Sequence, residues 1–84
     1  MTAEQVATLR AFVVERAKAY TNGSASYDAT TFTAADAAAH IGDVLQLAVY
    51  SVLCDLEAEG LVYWHWPSGI PGYWMPTTKA AREP

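Results

Sequence analysis

The chain has 84 residues, 52% of them hydrophobic and only 17% charged, with a net charge of −4. That is room for one small domain with a core and some apolar surface left outside, and for no second domain. No run approaches the roughly 18 apolar residues of a membrane span, and the N-terminus has neither a basic patch nor an apolar signal core, so no membrane contact and a cytoplasmic location are expected. Cys54 is the single cysteine, which excludes an internal disulfide and any multi-cysteine metal site.

Thr2 with Gln5 forms a capping box, and Val6, Leu9, Val13, Ala17 and Tyr20 follow at helical spacing with Phe12 beside them, which predicts a first helix over about 3–20. Asn22-Gly23 stops it. Residues 21–32 are small and polar and read as a loop, with Thr31-Phe32-Thr33 as a short strand at its end. Thr33 with Asp36 is a second capping pattern and opens an alanine-rich helix over about 34–40. Ile41-Gly42 is the turn, glycine freeing the backbone and isoleucine anchoring it in the core.

A third helix is expected over about 44–59, with Asp43 and Gln46 as its capping box and Gly60 as the residue that ends it. Leu45, Val49, Val52, Leu53 and Leu56 recur at steps of three and four and form its core stripe. The opposite face carries Leu47, Tyr50, Ser51, Cys54 and Ala58. Leu61-Val62-Tyr63-Trp64-His65-Trp66 has the β-branched and aromatic content of a strand. Pro67 to Gly72, with two prolines and two glycines, makes a hairpin tip, and Tyr73-Trp74-Met75 returns as a second strand closed by Pro76, giving a hairpin over about 61–76. Thr77 to Glu83 is a short tail with room for one helical turn.

Three segments, Val49-Tyr50-Ser51-Val52-Leu53, Leu56-Glu57-Ala58-Glu59-Gly60-Leu61-Val62 and Tyr73-Trp74-Met75-Pro76-Thr77-Thr78-Lys79, resemble the winged helix-turn-helix domain of PadR-type transcriptional regulators over about residues 33 to 80. The resemblance implies an α+β fold of three helices plus a β-hairpin wing, and a role in transcription regulation. It stops short of the dimerisation helix that follows the wing in that group. Cys54 and Asp55 stand where such regulators carry Arg or Lys, and the wing has aromatics and prolines in place of basic residues.

Charge distribution decides between two functions. All five cations, Arg10, Arg16, Lys18, Lys79 and Arg82, lie outside residues 19–78, while Asp28, Asp36, Asp43, Asp55, Glu57 and Glu59 give that span a charge of −6 with the histidines neutral. Counterion release supplies most non-specific DNA affinity and needs several cationic contacts, which this span lacks. Parity in the hairpin puts Tyr63 and His65 on one face and Trp64 and Trp66 on the other, with Tyr73 and Trp74 likewise opposed, so a wing packed by one face exposes at least two large aromatics. The favoured reading is therefore a non-catalytic module working through protein contacts, by self-association or by docking on a partner, with Leu47, Tyr50, Ser51, Cys54, Trp64, Trp66, Tyr73 and Trp74 as the contact surface. The alternative is a DNA-binding regulator or recombination accessory protein, with Gln46, Tyr50 and Ser51 toward base edges and Arg10, Arg16, Lys18, Lys79 and Arg82 on phosphates. His40 is read as a helix-end dipole partner, and His65 as stacked on its Trp neighbours. His40, His65 and Cys54 lack zinc-ligand spacing, no nucleophile has a neighbouring base, and neither enzymatic activity, a metal nor another cofactor is expected.

Overall fold

A computed structural model of the chain describes residues 1–68 and 71–84. Thr2 accepts from the Gln5 amide while the Gln5 side chain accepts from the Thr2 amide, and this reciprocal cap opens α1 (Ala3–Thr21). Leu9, Phe12, Val13 and Ala17 of α1 are buried, whereas Tyr20, expected on the same stripe, is exposed. The segment expected to be loop contains a single helical turn, α2 (Tyr27–Thr30), capped by Ser26 Oγ accepting from the Ala29 amide at 3.3 Å. Thr30 at its end is buried and donates its hydroxyl to the Ser26 carbonyl at 2.8 Å. Thr33 and Asp36 form the second capping box and start α3 (Ala34–Ile41).

The turn after α3 differs from expectation. Gly42 has φ 76° and ψ 155°, a region essentially reserved for glycine, and Asp43 follows at φ 47°. Two consecutive positive φ values swing the chain so that Val44 packs on the core, and α4 (Gln46–Ala58) begins later than its spacing suggested. Asp43 caps nothing: the N-cap is Leu45, with no side-chain hydrogen bond, and Leu45 is 77% exposed instead of joining the core stripe. Val49, Leu53 and Leu56 are buried as expected, with Val52 partly so. Four residues join α3 to α4, and the two helices are bent 108° apart.

The end of α4 follows its sequence signal. Gly60 sits at φ 82°, the Leu61 amide donates to the Leu56 carbonyl at 3.0 Å, and the Gly60 amide donates to the Glu57 carbonyl at 2.9 Å, the pair of bonds of a Schellman motif. The chain then enters β1 (Val62–His65), which pairs antiparallel with β2 (Tyr73–Pro76) in the register Val62 to Pro76, Tyr63 to Met75, Trp64 to Trp74 and His65 to Tyr73. Gly69 and Ile70 of the expected hairpin tip lie outside the described residues. The expected strand at Thr31-Phe32-Thr33 contracts to one bridging residue: the Phe32 amide donates to the Trp74 carbonyl at 3.0 Å and the Trp74 amide to the Phe32 carbonyl at 2.7 Å. The tail forms α5 (Thr78–Ala81), capped by Thr77 and packed along α1 with Ala80 fully buried.

Among the described residues the architecture is thus α+β, five helices and a two-stranded antiparallel hairpin around one core. Among the described residues, no single helix is long and apolar enough to cross a membrane.

Candidate functional site

The outward side of α4 places Leu47, Ser51 and Cys54 on one exposed line, with Tyr50 exposed beside them. Leu47 is 80% exposed, and Leu45, which escapes the core because of the Gly42-Asp43 turn, adds a second bare leucine at the same end. The hairpin carries Trp64 and Trp66 outward, Trp66 at 76% exposure. These two groups are joined through Trp74. Its ring stands 5.8 Å from that of Tyr50 at 70° and 5.3 Å from that of Trp64 at 62°, edge-to-face contacts on both flanks. A further tie runs along the backbone, where the Trp64 amide donates to Glu57 Oε2 at 3.0 Å and so fixes β1 to the last turn of α4.

Two residues expected on the contact surface are not there. Trp74 is only 1% exposed, because Phe32 pairs with its backbone on one side and Tyr50 and Trp64 cover its ring. It is the base on which the exposed aromatics stand. Tyr73 is half-buried and lies on the opposite hairpin face, since parity separates it from Trp74. Both hairpin faces are engaged, contrary to the one-sided packing expected, yet Tyr63, Trp64 and Trp66 still remain exposed.

The second face gathers residues that no local sequence pattern connects. Tyr20 of α1, Tyr27 of α2 and Tyr73 of β2 stand in sequence at centroid spacings of 6.3 Å, nearly perpendicular at each step, and the Tyr27 and Tyr73 hydroxyls share a hydrogen bond of 2.9 Å. That bond, with smaller effects of burial and neighbouring charge, pushes the Tyr73 phenol up to about 12. Burial, and then the nearby Tyr27 and Tyr20 phenols, raise Tyr63 above its usual value. His65 packs on Tyr73 at 5.2 Å and near Tyr63 at 6.4 Å, so its stacking partners are tyrosines, not the tryptophans expected. His40, in the last turn of α3, lies against Phe12 at 4.8 Å.

The cations are held away from the α4 face. Arg10 pairs with Glu59 at 3.0 Å and Glu83 at 3.7 Å, and Lys79 Nζ donates to the Glu59 carbonyl at 2.7 Å. Arg16 donates to the Ala29 carbonyl at 2.6 Å with its guanidinium 4.3 Å above the Phe12 ring. Lys18 and Arg10 line a cleft between α1 and the C-terminal residues Glu83 and Pro84, while Arg16 lines a different cleft beside Ala29 and His40. Gln46 and Ser51 are exposed on α4, but Asp43, Asp55, Glu57 and Glu59 are the charged residues of the span 43–59 that holds that helix. Among the described residues, no group of three or more His, Cys, Asp or Glu side chains is placed to hold a metal ion.

Comparison of the chain with protein-family models, with curated proteins and with solved structures finds no match.

Proposed function

We propose that the chain is a non-catalytic winged-helix module, similar to those of PadR-type regulators, that acts through protein contacts made by α4 and the hairpin. The fold reading is supported by the order α1, bridging residue Phe32, α3, α4, β1, β2, with the single turn α2 added before Phe32 and α5 after β2, and by the four-residue turn and 108° bend between α3 and α4. Helix-turn-helix pairs cross at about 90–120° through short turns that often contain glycine. In this reading α4 is the recognition helix and β1–β2 the wing.

The observation that carries the protein-contact reading is the set of exposed apolar side chains on α4 and the hairpin, Leu45, Leu47, Tyr50, Trp64 and Trp66, with Tyr50 and Trp64 packed on the same Trp74 ring and with Asp43, Asp55, Glu57 and Glu59 as the charged residues of the span 43–66. Interfaces favour aromatic residues at their centre, and several large apolar side chains exposed on neighbouring elements suit an association site. Self-association and docking on a larger protein use the same face. Sedimentation velocity over a wide concentration range tests it. Association that weakens in a Leu47→Ser, Trp66→Ser variant supports the reading, and a wild type that stays monomeric alone and with co-purifying protein, indistinguishable from the variant, removes it.

The second reading, a DNA-binding regulator, draws on the same α3–turn–α4 geometry, which in that class sets a helix into the major groove. Its phosphate contacts would fall to Lys18, Arg82 and whichever of Arg10, Arg16 and Lys79 left their partners within the chain. The favoured reading requires no such rearrangement.

A further inference from the structure

On the side of the molecule away from the exposed tryptophans, α1, α2 and the hairpin enclose a cleft of about 330 Å³, at the small end of the range for ligand sites. Tyr20, Tyr27 and Tyr63 line it, Met75 and Pro76 of β2 add apolar lining, and Thr21, Thr30, Thr77 and Thr78 add hydroxyl-bearing lining. None of the ten lining residues carries a charge. Of the nearby basic groups, Lys18 lines a different cleft with Arg10 and Glu15, and Lys79 is bonded to the Glu59 carbonyl. Asp28, exposed and next in sequence to Tyr27, lies near enough to act on the Tyr73 phenol and brings a negative charge to this side of the molecule.

We propose that this cleft binds a trimethylammonium group. The face of an aromatic ring carries negative electrostatic potential, and a cation within about 6 Å of several ring centroids gains from each. Tyr20 and Tyr27 meet at 73°, so two ring faces can address one cation from different directions, with Tyr63 as a third wall. The wall is braced: the Tyr27 hydroxyl is bonded to that of Tyr73, which fixes the ring on its one-turn helix. A methylated ammonium suits the site better than a lysine ammonium, because it has no N–H groups that need acceptors and its methyl groups match an apolar lining. No cationic side chain lines the cleft to hold an anion.

The probes are choline, its neutral carbon isostere 3,3-dimethylbutanol, and a short peptide carrying trimethyllysine, each titrated into the full chain and followed by proton NMR. Choline is expected to bind saturably with its N-methyl signal shifted upfield by the ring faces, and the isostere at least about tenfold more weakly. Tyr20→Leu and Tyr63→Leu are each expected to weaken choline about threefold to tenfold, while Tyr20→Phe, which keeps the ring, leaves it within about twofold. Both side chains are exposed, and circular dichroism melts confirm that the variants fold. Tighter binding of the peptide assigns a methylated protein tail as the source of the group, and equal binding assigns a free small molecule. Equal affinity for choline and the isostere, unchanged binding in the leucine variants, or no saturation up to about 100 mM choline would each overturn the proposal.

Discussion

Gly72 precedes β2 at the point where the Trp64 indole crosses the chain, and replacing it with alanine measures how firmly that indole is held. A Cβ built at Gly72 falls 2.6 Å from Cε2 and 2.8 Å from Cη2 of Trp64, and nearer still to Cζ2, all well inside contact distance. The Gly72 backbone is outside the left-handed region, so the added methyl brings a clash and no dihedral strain. The indole must swing away, which gives up its edge-to-face contact with Trp74 at 5.3 Å and re-exposes part of the Trp74 ring. Losing such a pair costs about 0.5–1.5 kcal/mol beyond the area re-exposed, so Gly72→Ala should cost about 1–2 kcal/mol. For a domain of this size that lowers Tm by about 5–15 °C. In a Trp64→Ala background the clash is gone, and the same substitution should stabilise by about 0.4–1 kcal/mol by restricting the unfolded chain. Urea unfolding of the four proteins, with near-ultraviolet circular dichroism to follow the tryptophans, completes the cycle. Equal costs in the two backgrounds would refute the placement of Trp64 over Gly72.

Asp43 gives a test of opposite sign to the one its sequence position suggests. If it capped α4, replacement by glycine would lower stability slightly, whereas a residue held at φ 47° should gain up to about 1 kcal/mol from Asp43→Gly, read as a rise in urea midpoint. The Tyr73 phenol, pushed up to about 12 by its bond to Tyr27, is held neutral in the folded chain. Its contribution is complete below the ordinary tyrosine value of about 10 and is lost as pH rises toward about 12, so the urea midpoint should fall more steeply between pH 9 and 11 in the wild type than in Tyr73→Phe. Parallel slopes would contradict the hydrogen bond as the cause.

Elements with a chemical start or stop were legible in the sequence. Thr2 with Gln5 and Thr33 with Asp36 cap α1 and α3 as their spacing suggests, and Gly60 ends α4 in the left-handed conformation. The start of α4 was not, because Asp43 and Gln46 have the residue types of a capping box while the Gly42-Asp43 backbone turns them away from it. One consequence is that Leu45, expected in the core, is exposed while Val44 packs on the core. The turn α2 is too short for any periodicity to show, and its only local signals are the Ser26 and Thr30 hydroxyls. Strand parity correctly opposed Tyr73 and Trp74 but gave no sign of which would be covered. That choice depends on Phe32, more than forty residues away in sequence, bonding to the Trp74 backbone. The tyrosine cleft is invisible for the same reason, since its walls come from three separate elements.

The most direct test of the contact surface is a ¹H–¹⁵N NMR titration of the chain with a short mixed-sequence DNA duplex at low salt, about 20 mM, where any polyanion affinity is strongest. The amides of Leu47, Tyr50 and Ser51 and the Trp64 and Trp66 indoles should hold their positions through an excess of duplex. Displacement of those same signals, reversed on raising the salt to about 200 mM, would mean that α4 and the hairpin grip nucleic acid, and would contradict a surface made for protein.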